Sequence, residues 1–336
     1  MMGKIRLSLV ILQLVIVTYG GEYADAFLEN GVSARAQAMG NTLGALDFSL
    51  TAFISNPAGL SYIRTPQIGL MYTSQFGLAN HNYAGFATPI ARKSAASLNW
   101  IRYSVDDIPI RPDILRQVQD PESRRDSVLA LNLATFDTFN DLEQAVYISF
   151  GHLFSRSVSL GWRYSRFTLE IPLGINFKLI HKKLYNVEGY GLGIDVGGRI
   201  RFSGADVFEM SRMGQLSFGY ALRDITGTII YWNTKRQDEI RLNPVLSFGY
   251  EHIFKRPDIL LNLGLEKEYR YEDKTRYGLE CILKNRLSIR TGLINSGITA
   301  GLGLNFKAMN RTVHIDYSFL KHELGAVHRI GGILKF

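Results

Sequence analysis

The stretch GAVHRIGGILKF (325–336) alternates to its last residue. Leu324, Ala326, His328, Ile330, Gly332, Leu334 and Phe336 form one set, while Arg329, Gly331 and Lys335 fall in the other, with Ile333 an apolar member of that second side. A period of two means a strand whose faces meet different environments. Chain ends are usually frayed and polar because nothing holds them, so this strand predicts a partner strand.

The same alternation recurs upstream. Ile259, Leu261, Leu263 and Leu265 oppose Asn262, Gly264, Glu266 and Glu268. Val313, Ile315, Tyr317 and Phe319 oppose Thr312, His314, Asp316 and Ser318. Leu192, Ile194, Val196, Ile200 and Phe202 oppose Gly193, Asp195, Gly197, Arg199 and Arg201. Fifteen such segments run back to back over residues 66–336, with no helical stretch between them. A soluble sandwich shows similar alternation but needs only about seven to nine strands per domain. About ten residues per segment is the length a tilted strand needs to cross a bilayer.

The polar positions combine glycines with Asp195, Arg199, Glu251, Glu266, Arg290, His314 and Asp316, the content expected of a water-filled lumen. Aromatic pairs Trp100 and Tyr103, Trp162 and Tyr164, Tyr231 and Trp232, and Tyr269 and Tyr271 sit near segment ends, where an interfacial girdle would lie. The reading is an all-β fold, a transmembrane antiparallel β-barrel. Single-chain bacterial barrels have even strand numbers, so fourteen strands are expected, with the surplus segment inside 143–182. Turns at ARKS, FSRS, FKRPD, KN and KAMNR are expected on the periplasmic side, and residues 104–141 form an extracellular loop with a short helix around 113–119. The last strand closes the barrel against the first, leaving no free edge.

Bulk properties agree with strands. Of 336 residues, 46% are hydrophobic and 20% charged; Gly is abundant at 32 and Pro scarce at 9. The net charge of +8 is spread along the chain without a basic stripe, which speaks against nucleic acid as a partner. The single cysteine, Cys281, shares the apolar face of Tyr277, Leu279 and Leu283 and reads as a filler. At the N-terminus, Lys4 and Arg6 precede the 14-residue, mostly apolar LSLVILQLVIVTYG (7–20). Small-residue exits follow at Thr18–Gly20 and Ala24–Ala26. This is the form of a signal peptide within residues 1–26, cleaved between 20 and 26. The apolar run is shorter than the roughly 18 residues of a spanning helix. The expected organisation is then a plug segment at 27–65 and a barrel at 66–336.

Seven histidines invite a test for catalysis, but neither His-Glu-x-x-His nor Gly-x-Ser-x-Gly occurs. His314 and Asp316 share a face without a positioned nucleophile, so no enzyme is expected, and no metal or cofactor site is read.

Between leader and barrel lies GVSARAQAMGNTLGALDFSLTAFISNPAGL (31–60). It resembles the N-terminal segment of the PorV/PorQ proteins and of their distant FadL-type relatives. The likeness rests on Gly31, Ala34, Arg35, Ala36, Met39 and Gly40, then on Asn56, Pro57, Ala58, Gly59 and Leu60. The acidic pair usual before the second run is reduced here to Asp47, and Ser55 stands where an aromatic often precedes the Asn. The resemblance implies a FadL-like barrel in the cell outer membrane, with the N-terminal segment folded into the lumen. As for function, the resemblance to PorV implies a type IX secretion-associated barrel that binds or presents exported proteins at the cell surface, with their signal domains as partners, and this is the expected role. The alternative, from FadL relatives, is transport of long-chain hydrophobic compounds. It also implies contact with outer-membrane lipid and with the barrel assembly machinery, for which Phe336 resembles the C-terminal signal. Within the lumen, Arg35 is expected to tether the plug to an acid such as Asp195, Glu251 or Glu266.

Overall fold

Alternating faces need pairing partners, and the chain supplies them to itself in a ring. The structure, a computed structural model, describes residues 24–110, 118–131, 136–159, 161, 166–270, 273–294, 297–322 and 325–336. The first strands are β1 (Gln67–Gln75), β2 (Ala79–Ala91), β3 (Ser94–Pro109) and β4 (Thr138–Ser159). They are followed by β5 (Arg166–Leu184), β6 (Val187–Ser203) and β7 (Gln215–Arg223). A short hairpin, β8 (Thr228–Trp232) and β9 (Gln237–Ile240), precedes β10 (Asn243–Phe254) and β11 (Ile259–Glu268). The rest are β12 (Lys274–Leu283), β13 (Leu287–Ile294), β14 (Gly297–Ala308), β15 (Arg311–His322) and β16 (Gly325–Lys335).

Each barrel strand pairs antiparallel with its neighbours, and β1 pairs with β16 from Gln67↔Lys335 to Gln75↔Val327. The sheet has sixteen strands; β8 and β9 lie outside the ring, which therefore closes with fourteen. The hairpin borrows the stretch of β6 that β7 leaves unpaired, with Gly189–Gly191 opposite Ile230–Trp232. The terminal strand is held on both edges, and the Phe336 amide also donates to the Pro66 carbonyl at 3.0 Å.

The surplus segment falls within the stretch that the alternation left ambiguous. FSRS (154–157) is no turn: it lies in β4, with Phe154 opposite Ile171 and Ser157 opposite Thr168. The strand continues there past its apolar stretch, and once polar residues occupy both faces the period of two disappears. The long loop is also shorter, since β3 runs to Pro109 and β4 starts at Thr138, leaving 110–137. The helix expected at 113–119 falls mostly on residues outside the described set; the helix in this loop is Pro121–Leu129, where Asp120 accepts from the Ser123 amide at 2.7 Å. This loop and the β8–β9 hairpin mark one end of the barrel, here the loop end. Short connections at 92–93, 284–286 and 309–310 mark the other, the turn end.

The outer wall is a band of apolar side chains, with Leu70 61% and Leu192 74% exposed. A continuous apolar band is foreign to a water-facing surface and is what a bilayer covers. The aromatic expectation holds only in part. Trp100 and Tyr231 point outward, whereas Tyr103 stacks edge-on with the buried His81 and Trp232 packs on the interior cluster. Trp162, Tyr164 and Tyr271 lie outside the described residues. The expected leader, residues 1–26, does so up to residue 23.

Leu263 sits outward in β11 while Gly264 faces in. Leu263→Arg is expected to cost about 2–4 kcal/mol if that position lies at mid-bilayer. Urea unfolding of the protein in lipid vesicles reads this directly, and an unchanged midpoint would refute the inside–outside register.

Candidate functional site

The polar inner faces suggested a water-filled lumen; residues 24–66 occupy it, the arrangement that the resemblance implied. Inward glycines align in register around the wall, Gly249↔Gly264↔Gly278↔Gly292 on one side and Gly151↔Gly174↔Gly197 on the other. The segment lies across them. A Cβ on Gly278 would strike the Met39 carbonyl, one on Gly292 the Gly40 amide, and one on Gly174 the carbonyl carbon of Pro57. Absent side chains let one backbone approach another this closely. Gly40 itself has φ +64°, a conformation L side chains rarely adopt.

Both resemblance motifs belong to this contact. Ser33 caps the helix Ala34–Ala38, accepting from the Ala36 amide at 3.3 Å. Ala34, Ala36 and Met39 are buried, and Gly31 opens the run in a positive-φ turn. Asn56 is fully buried: its Oδ1 accepts from the Ala58 amide at 3.1 Å, and its Nδ2 donates to the Gly198 and Tyr220 carbonyls, both at 3.1 Å. Pro57 follows at the start of the 3-10 helix Pro57–Tyr62, where its missing N–H costs nothing. A Cβ at Gly59 would hit the Asp47 carbonyl, and Leu60 packs against Gly151.

Arg35 does not reach Asp195, Glu251 or Glu266. It makes a two-pronged pair with Glu280 of β12, Nη2 to Oε2 at 2.7 Å and Nε to Oε1 at 3.0 Å, and lies 4.0 Å from Asp47. Burial alone would lower the Arg35 pKa, but the Glu280 carboxylate outweighs it and the net shift is upward. Glu280 is wholly buried and also accepts from Arg290 at 2.6 Å and Asn262 at 2.8 Å. Alternation alone places Glu280 on the polar face, opposite in parity to Leu279 and Cys281.

The other expected lumen residues face inward and are distributed around the plug. Asp195 accepts from Lys178 at 2.8 Å. Arg199 donates to the Asp47 carbonyl at 2.7 Å. Glu251 pairs with Arg201 at 2.9 Å, and Glu266 accepts from the Gly44 amide at 3.0 Å. Asp316 accepts from Arg290 at 2.7 Å through Oδ1. Tyr62 donates to Glu170 at 2.8 Å, and burial together with this acceptor raises the phenol pKa so that it stays a donor. Among the described residues no group of His, Cys, Asp or Glu is placed to hold a metal ion.

Two small cavities of about 50 and 30 Å³ remain beside the plug. At the loop end a vestibule of about 440 Å³ opens above it. Phe76, Ile294, Leu320 and Val327 give it apolar walls; Gln37 and Asn41 of the plug and Arg329 of β16 also line it. Arg329 is 2% exposed, donates to Thr73 Oγ1 at 2.9 Å and reaches the Ser33 carbonyl at 3.5 Å. No carboxylate among the described residues pairs with it. Its neighbours differ: Arg276 pairs with Glu268 at 2.6 Å and Lys274 with Glu29 at 3.6 Å.

No family model matches this chain, and no curated protein matches it in sequence. Solved barrels resemble it in shape. The toluene transporter TbuX of Ralstonia pickettii aligns over 90% of this chain and 97% of its own, at 11% identity and a TM-score of 0.48. The monoaromatic hydrocarbon channel CymD aligns over 91% and 98%, at 8% identity and 0.49. A deletion mutant of the monoaromatic hydrocarbon channel TodX aligns over 90% and 98%, at 11% identity and 0.45.

Glu280→Gln strands two guanidinium groups, a loss expected to cost about 3–5 kcal/mol. It should lower the melting temperature in detergent and expose residues 24–66 to protease. Gly278→Val should produce the same protease sensitivity while the barrel strands persist by circular dichroism; full protection in that variant would contradict the close approach of Met39.

Proposed function

We propose that this chain is an outer-membrane β-barrel that takes up long-chain hydrophobic compounds bearing an acidic group, which dock first in the loop-end vestibule. The loop end then faces the cell exterior and the turn end, with both ends of the barrel segment, faces the periplasm. The observation that carries the reading is Arg329, a buried guanidinium without a carboxylate partner beside apolar walls. Burying an unpaired charge is costly, and an incoming carboxylate supplies the missing partner while its chain covers Phe76 and Leu320. The membrane role also supports outer-membrane lipid and the barrel assembly machinery as partners. Phe336 is exposed at the turn end, where that machinery would find its signal.

A second reading, docking of secreted proteins as in PorV relatives, is favoured by a different observation. The plug leaves only small cavities at mid-barrel, and the helix Pro121–Leu129 presents no buried residue and is free to meet a protein. Mass spectrometry of the protein from its own cells in mild detergent separates the two. A stoichiometric polypeptide lost on trimming 110–137 supports docking; a retained fatty acid supports uptake.

On the uptake reading, a fluorescent long-chain fatty acid binds the purified barrel, and Arg329→Gln weakens it about tenfold or more, the scale of one charge-assisted hydrogen bond. An alcohol of equal length should not distinguish the two proteins. Equal fatty-acid binding by wild type and variant would remove Arg329 from the site.

A further inference from the structure

The outer wall carries a hollow of about 730 Å³ where the first and last strands meet. One outward row crosses it in register: Trp100↔Ala84↔Leu70↔Gly332↔Ile315. Ala84 and Gly332 contribute little or no side chain between three large ones, and the wall is recessed there. Leu70 is 61% exposed and Ile330 54%, so none of the described residues covers the recess.

The next row toward the loop end changes character. Arg102, Asn82 and Tyr72 stand side by side across β3, β2 and β1, and all three line the same hollow. No carboxylate among the described residues pairs with Arg102. Trp100, just below, has its indole N–H already satisfied by Gln144 at 3.1 Å. An arginine on a lipid-facing wall is costly at mid-bilayer and tolerable near the interface.

We infer that this recess binds one phosphorylated acyl lipid of the membrane, with a chain in the hollow and the phosphate on Arg102. The open side of the recess faces hydrocarbon, its volume falls within the range of specific small-molecule sites, and the planar guanidinium matches phosphate geometry. Apolar recess and cationic rim follow the order of an acyl lipid along the membrane normal, tail below and headgroup above. A bound lipid would also bridge the β1–β16 closure. The inference rests on the membrane part of the reading above and is independent of the cargo.

The test is native mass spectrometry of the full barrel, stripped of lipid in detergent and offered phosphatidylglycerol or diacylglycerol with identical chains. Wild type should retain phosphatidylglycerol about tenfold better, the preference one charge-assisted contact supports. Arg102→Gln should erase that preference, and Ala84→Leu, which fills the recess from another strand, should reduce retention of both lipids. An unchanged preference in Arg102→Gln, or undiminished retention in Ala84→Leu, would overturn the site. So would displacement of the lipid by inorganic phosphate alone, or a second copy of the chain occupying this face. Fatty-acid binding at the vestibule, measured in the same variants, should stay at the wild-type level, so failure here is distinct from failure of the uptake reading.

Discussion

The fit of one backbone against another governs this barrel. Residues 38–61 cross the inner wall roughly perpendicular to the strands, and the wall meets them with glycine after glycine in register. Neither partner explains itself alone. Glycine inside a strand gives up packing and conformational entropy, and a lumen could be closed more simply with large side chains. The expense makes sense when the occupant is a fixed segment whose own backbone must come within contact distance.

Closeness of this kind excludes water, which raises the stakes for every charge nearby. The chain answers with shared acids: Glu280 holds Arg35 of the plug and Arg290 of the wall, while Glu266 holds the Gly44 amide and, at 3.5 Å, Arg276. Arg199 works in the opposite sense, a wall cation donating to the Asp47 and Asn56 carbonyls at 2.7 and 3.4 Å. It thereby ties the two halves of the plug together across the turn that Asp47 organises with Ser49 and Thr51. Arg329, like Arg199, hydrogen-bonds only to neutral groups, but unlike it Arg329 lines the vestibule.

Much of this was legible beforehand, for identifiable reasons. Alternation reports a boundary between two environments, so β11, β15 and β16 could be read wherever one face met lipid. Alternation ends where that boundary ends: at Arg156–Ser157 polar residues occupy both faces, and at Val105–Ile108 the strand pairing itself shifts register. Aromatics were misread for a related reason: Tyr103 and Trp232 are large enough to serve either a girdle or an interior, and only parity with Ile101 and Ile230 separates the two. The inner glycines were read as small residues lining water because a sequence shows the missing side chain and not what takes its place. Arg35 was legible as a tether, but the choice among acids needs the barrel's shear, which brings β12 rather than β6, β10 or β11 opposite it.

The same contacts bound how anything could pass. Simply pulling the plug free would abandon the Arg35–Glu280 pair, the Gly44–Glu266 bond and both Asn56 bridges together. Breaking one buried ion pair without replacement already costs about 3–5 kcal/mol, comparable to a large part of a domain's whole stability. Passage by wholesale ejection is therefore the expensive route. An exchange is cheaper: a carboxylate that reaches Arg329 offers a charged partner in place of the Ser33 carbonyl. On the uptake reading, that exchange gives up only the 3.5 Å contact to the Ser33 carbonyl, which still accepts from the Gln37 amide, and leaves the Asn56–Tyr62 half seated.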